Sequence, residues 1–162
     1  MERPVLEISG LDIRLPETAE RPLAVEGLDL TVRRNEIVCL VGESGSGKSM
    51  VARAIMGLLP VPRVRIDHRS IRLAGEEITR MDGPRLRRMR GAEAAMIFQE
   101  PMTALNPLMT VGRQVDELIA THVAMPRAER RRKVIGLFDQ VHLPEPEHIF
   151  TAYPHQLSGG QR

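Results

Sequence analysis

With 162 residues, the chain is long enough for one domain with a hydrophobic core and too short for two comfortable ones, so one domain or a piece of one is expected. Apolar residues make up 42% and charged residues 27%, a balance that excludes the disordered and fibrous classes. A formal charge of +2 is too small to argue for nucleic acid, which needs a concentrated field of Lys and Arg.

The start, Met1-Glu2-Arg3-Pro4, lacks the apolar core of a signal peptide, and no run approaches a membrane-spanning length, so the chain reads as cytosolic. Val5–Ile8 and Leu28–Val32 alternate apolar and polar residues and predict strands. Between them Leu15–Pro22 is a turn-rich connection that two prolines keep out of helix and central strand. Ile37–Val41 is a continuous apolar run and predicts a fully buried strand, with the only cysteine, Cys39, as a small buried hydrophobe. Ser49–Leu59 carries Val51, Ala54, Ile55, Leu58 and Leu59 at helical spacing.

Residues 60–83 predict short strands and turns, punctuated by Pro60, Pro62, Gly75 and Gly83. Ala94–Phe98 predicts another buried strand, running into the loop Gln99–Pro107. Two helices follow: one with Val111, Val115, Leu118, Ile119 and Val123 on a face, and one opening at Pro126 with Val134, Leu137, Phe138 and Val141.

Gly42-Glu43-Ser44-Gly45-Ser46-Gly47-Lys48-Ser49 satisfies every fixed position of Gly-x-x-x-x-Gly-Lys-[Ser/Thr], between a predicted strand and a predicted helix. Residues without Cβ let the backbone curl until successive N–H groups point at phosphate oxygens, and the following helix adds its positive end. Lys48 is the charge for the β- and γ-phosphates, and the Ser49 hydroxyl is the candidate ligand for Mg²⁺. The nucleotide-contacting stretch is therefore residues 42–49 with Met50 next in line. This loop by itself signals only a bound nucleoside triphosphate, since kinases, GTPases and helicase motors share it.

What chooses among them is Leu157-Ser158-Gly159-Gly160-Gln161-Arg162 taken with Gln99. The sequence resembles an ATP-binding cassette (ABC) ATPase, whose pattern has a Walker A loop, a Q-loop glutamine and a Leu-Ser-Gly-Gly-Gln signature in this order. GESGSGKS at Gly42–Ser49, MIFQEPMTALNP at Met96–Pro107 and YPHQLSGGQR at Tyr153–Arg162 resemble the dipeptide, oligopeptide, glutathione and nickel importer branch.

The resemblance implies an α/β P-loop NTPase fold with an antiparallel β subdomain and an α-helical subdomain. It divides the chain into residues 1–98 (β subdomain and P-loop core), 99–157 (Q-loop and helical subdomain) and 157–162 (signature). ATP and Mg²⁺ are the implied cofactors, with Lys48 and Gln99 in catalytic roles and Ser49 and Gln99 toward Mg²⁺. Ser158, Gly159, Gly160 and Gln161 would act in trans, on the nucleotide of a second ATPase subunit packed head to tail, identical or not. The other implied partners are transmembrane permease subunits and, through them, a solute-binding protein. The implied location is the cytoplasmic face of the inner membrane, peripherally bound.

The chain departs from the family in two respects. The acidic strand motif (Walker B with its catalytic Glu) and the switch His that follow the signature are not among the 162 residues, which predicts a truncated chain with poor hydrolysis on its own. Val134–Asp139 imitates an apolar strand ending in an acid, but its 3.6-residue period continues into Val141 and marks a helix face. Residues 1–41 hold no Phe, Tyr or Trp to stack on adenine, and Arg14 or Leu15 is the nearest substitute.

Arg85–Arg90 and Arg127–Lys133 are basic runs of the kind that usually form solvated faces, or that lean on anionic headgroups near a membrane partner. With aromatic residues at 2%, no stacking platform for single-stranded nucleic acid is present. The five histidines lack metal-ligand spacing. Two other readings stay open: a soluble ABC ATPase acting on DNA or ribosomes, and a non-catalytic nucleotide-binding fragment.

Overall fold

A computed structural model describes residues 3–19, 21–98 and 104–162. They form two compact units, the first of residues 1–90 with 94–96 and the second of residues 91–93 with 97–162. No helix among the described residues is long and apolar enough to cross a membrane.

The first unit is built on strands β1 (Leu6–Arg14), β2 (Leu23–Val32), β3 (Arg65–Asp67), β4 (Ser70–Leu73) and β5 (Glu76–Glu77), with helices α1 (Lys48–Ile55) and α2 (Gly83–Ala92). All pairings are antiparallel; β1 is central, with β2 on one side and both β4 and β3 on the other. Leu6 and Ile8 are buried, and so are Leu11 and Ile13, which is a change of parity along one strand. The slip occurs at Gly10, whose φ of 56° makes a bulge between the Ile8 and Leu11 pairings. Its N–H donates to Asp29 Oδ1 at 2.7 Å, and the N–H of Gly27 (φ 58°) donates to Asp12 Oδ1 at 2.6 Å. Each kinked glycine is thus clamped by an aspartate of the opposite strand, and the sheet keeps its apolar residues on one core.

That core joins Leu11, Ile13, Ile71 and Ile78 of the sheet side to Val51 and Ala54 of α1 and Met89 of α2. The first basic run is partly used up in holding it. Arg90 donates to Met56 O (2.8 Å) and Gly57 O (2.7 Å), carbonyls left open where α1 ends, and Arg85 pairs with Glu76 at 2.6 Å.

The second unit holds α3 (Val111–His122), α4 (Arg127–Gln140) and α5 (Pro146–Thr151). Val111 and Ile119 of α3 pack with Val134 and Phe138 of α4 and Ile149 of α5, joined by Ala152 and Leu157. The Val134–Asp139 lookalike is helical, as its period requires. The faces are narrower than the spacing suggests: Leu118, Val123, Leu137 and Val141 are exposed.

The two runs predicted as buried strands are not. Ile37–Val41 lies outside any ladder, with Ile37 93% and Val41 89% exposed and Cys39 exposed too. Ala94 makes only an isolated bridge to Arg90, while Ile97 is 98% exposed. The physical reason is shared. An all-apolar run becomes a buried strand only where neighbours pair both its edges and layers cover both its faces, and the strands that form among the described residues pair with one another instead.

Candidate functional site

The loop at 42–49 curls where its glycines allow it. Gly45 and Gly47 have φ of 81° and 90°, the left-handed region that side chains disfavour. Gly42 faces the Ser46 hydroxyl so closely that a Cβ there would sit 2.6 Å from Oγ, and Gly47 abuts the Ala24 carbonyl of β2. Gly47 caps α1: its carbonyl accepts from Met50 N (2.8 Å) and Val51 N (3.0 Å). Because Val51 and Ala54 anchor α1 in the core, the loop is held at the N-terminal end of a fixed helix.

Lys48 sits inside the curl. Its ammonium donates to Gly42 O at 2.7 Å, Glu43 O at 2.6 Å and Ser46 Oγ at 3.3 Å. Ser49 stands exposed in the first turn of α1, whereas Met50 turns into the core. Glu43 and Ser44 lie on the exposed turn of the loop. A small pocket of about 170 Å³ opens here, walled by Val25 and Leu28 of β2 opposite Gly42, Ser46 and Lys48. A larger cavity of about 480 Å³ in the same unit shares no residue with the loop.

Ala24 and Val25 escaped the sequence reading, which began the strand at Leu28. The bulge at Gly27 breaks the alternation and hides the strand's first half. Neither Arg14 nor Leu15 lines the pocket; Arg14 is paired with Asp67 at 3.2 Å and Leu15 packs on the core.

Gln99 lies outside the described residues, as do Glu100–Thr103. The end of that loop is described, and Gln114 of α3 pins it. Its side chain accepts from Asn106 N (3.0 Å) and donates to Asn106 O (3.0 Å) and Met109 O (3.0 Å).

Ser158 and Gln161 form a reciprocal box: Ser158 N donates to Gln161 Oε1 (2.8 Å), and Gln161 N donates to Ser158 Oγ (3.3 Å). This is the hydrogen-bond pattern that opens a helix, and it wraps the turn Gly159-Gly160. Both glycines face open space. The same device occurs five residues earlier, where Tyr153 N donates to Gln156 Oε1 at 2.7 Å. The signature is thus a pre-formed turn with bare backbone outward, a geometry suited to anions. The loop and the signature belong to different units.

Comparisons with known proteins show which family the chain resembles. The family profile described as ABC transporter matches residues 25–162. The chain is 43% identical over its whole length to the probable D,D-dipeptide transport ATP-binding protein DdpD of Escherichia coli (strain K12), of which it covers 49%. It is 39% identical over 98% of its length to the oligopeptide transport ATP-binding protein OppD of Lactococcus lactis subsp. cremoris (strain SK11), covering 46% of that protein. Among solved structures, the ATP-binding cassette MJ0796, a dimer bound to ADP and Pi, aligns with a TM-score of 0.76 at 24% identity, over 96% of this chain and 64% of that one. The chain spans about half the length of the curated relatives it matches, and it belongs to the ABC transporter family.

Proposed function

We propose that this chain is the nucleotide-binding part of the energy-coupling subunit of an importer for peptides or related solutes, and that residues 42–49 hold MgATP. The observation that carries the reading is the Lys48 ammonium, set within 2.7 Å of two loop carbonyls inside a curl that only glycines permit. An anion entering the loop meets that charge, the loop N–H groups and the N-terminal end of α1 together.

In this reading the loop amides and Lys48 bind and orient the triphosphate, and the exposed Ser49 hydroxyl and Gln99 hold Mg²⁺. When bound, Mg²⁺ neutralises charge on the phosphate oxygens. The described site fits such a group: its hydroxyl is free of the core, its ammonium is held inside the loop by Gly42 O and Glu43 O, and its walls leave a small concave space. Ser158, Gly159, Gly160 and Gln161 present their turn to the nucleotide of a second cassette. The two sequences between which the chain is thus divided, 1–98 and 99–157, carry the nucleotide and couple it to permease subunits at the inner face of the membrane, with 157–162 as the signature.

Binding and turnover are separate in this proposal. Residues 42–49 suffice to bind, whereas efficient hydrolysis needs a carboxylate to orient water, and none is assigned here. Calorimetric titration of the full chain with MgATP tests it. Lys48→Ala is expected to weaken binding by tenfold or more, the effect of losing about 1.5 kcal/mol or more of charge-assisted hydrogen bonding. Unchanged affinity in a folded Lys48→Ala chain would overturn the proposal.

A further inference from the structure

The helical unit contains a pocket of about 540 Å³ that shares no residue with the signature turn. Arg113 of α3 lines it, with Arg127 and Arg131 from successive turns of α4, over Phe150 of α5. One carboxylate, Asp116, also faces it, and that group is already committed. Arg130 forks onto both of its oxygens, at 2.7 Å and 3.3 Å, and donates besides to Met125 O. The Asp116 carboxyl is held below the ordinary range, first by that hydrogen bond and then by the charges of Arg130 and Arg127 against an opposing desolvation. It is therefore an ionised group neutralised by its own arginine.

Arg113 and Arg131 have no such partner, and Arg127 acts on Asp116 only as a charge at longer range, beyond ion-pair distance. Among the described residues no carboxylate lies within 4.0 Å of Arg113, Arg127 or Arg131. Arg131 is nonetheless held in place, its guanidinium 4.9 Å from the centre of the Phe150 ring. Stacking on a ring face fixes the guanidinium and leaves its edge donors outward. Phe150 is seated in turn against Gly112, where a Cβ would strike the ring. All three arginines are exposed, so water screens their like charge and an entering anion meets their donors without displacing a buried partner.

Geometry favours one class of anion. A carboxylate is satisfied by a single guanidinium fork, whereas a phosphate monoester has three terminal oxygens and a charge near two, enough for forks from several arginines at once. We propose that Arg113, Arg127 and Arg131, arranged over Phe150, form a binding site for a phosphate monoester distinct from the nucleotide loop.

The test uses the full chain carrying Lys48→Ala, so that the loop is silenced, with amide resonances of 110–116, 127–131 and 148–152 followed by NMR. Inorganic phosphate is expected to shift them saturably. Arg127→Ala and Arg131→Ala should each weaken it by about tenfold or more, while Arg132→Ala, on the same helix but outside the pocket, should leave it unchanged. Arg131→Lys keeps the charge and the fold but loses the planar fork, and should weaken binding as well. Phosphatidic acid vesicles serve as a second arm: arginine-dependent sedimentation identifies a lipid headgroup as the source, and its absence with free phosphate still binding identifies a soluble one. No saturable shift, an equal loss with Arg132→Ala, or tighter binding of hexaglutamate than of phosphate would each overturn the site.

Discussion

Gly47 and Ala24 lie back to back: the first residue before α1 meets the carbonyl of a β2 residue with no room for a side chain between them. The contact sets the nucleotide loop directly on the antiparallel sheet. Gly47→Ala therefore faces two obstacles, a backbone at φ 90° and a Cβ driven against Ala24 O and Val25 Cγ2. A strained backbone of this kind costs about 1–3 kcal/mol. Both a lower melting temperature and loss of measurable MgATP binding are expected; unchanged binding by titration would show that the loop does not rest on β2.

Base selectivity should be weak. The pocket beside the loop is walled by Val25 and Leu28, and no aromatic ring is among its lining residues. A missing base stack is worth about 1–3 kcal/mol. Parallel titrations with ATP and GTP are expected to agree within about tenfold, and a strong preference for ATP would show that another group reads the base.

The signature turn depends on two side chains acting on each other's backbone. Ser158→Ala frees Gln161 N, and Gln161→Ala frees Ser158 N. Each is expected to cost about 1 kcal/mol of local stability, read as faster amide exchange at 158 and 161. The double variant should exchange little faster than either single one, because each loss already opens the box.

Asp29→Ala removes the acceptor for Gly10 N at the bulge of β1. A loss of about 1 kcal/mol in urea unfolding is expected, and Asp12→Ala at Gly27 should behave alike. No loss in either would mean that the bulges are held by packing alone.

Asp116 predicts a pH dependence. Its carboxyl is lowered in the folded chain, mainly by the hydrogen bond from Arg130, so the unfolded chain binds the proton more tightly. Its contribution is present above the unfolded value of about 4 and is lost as pH falls through the lower folded value. Asp116→Asn should therefore be less stable than the parent near neutral pH, and the gap should close below about pH 4. A gap independent of pH, in thermal melts across this range, would assign the effect to shape and not to charge.

Much of the molecule was legible along the chain. The glycine pattern and Lys48 specify a curled loop wherever a strand side and a helix are at hand, because φ above zero and an absent Cβ are local properties. The period of α4 separated Val134–Asp139 from an acidic strand for the same kind of reason. Local rules failed at Gly10 and Gly27, where a bulge shifts the alternation, and β2 was read at half its length. They also failed at Arg85–Arg90, where a charge run conceals a helix cap and an ion pair.

By itself the sequence determined the glycine pattern with Lys48 at 42–49 and the helical character of 111–122 and 127–140, since each rests on residues within a few positions of one another. Tertiary structure alone decided that Val25 and Leu28 wall the loop, that Arg113, Arg127 and Arg131 share a pocket, and that Ile37–Val41 stays unpaired. Apolar composition states only that a segment gains by burial; whether it is buried depends on partners distant in the chain, which no local period encodes.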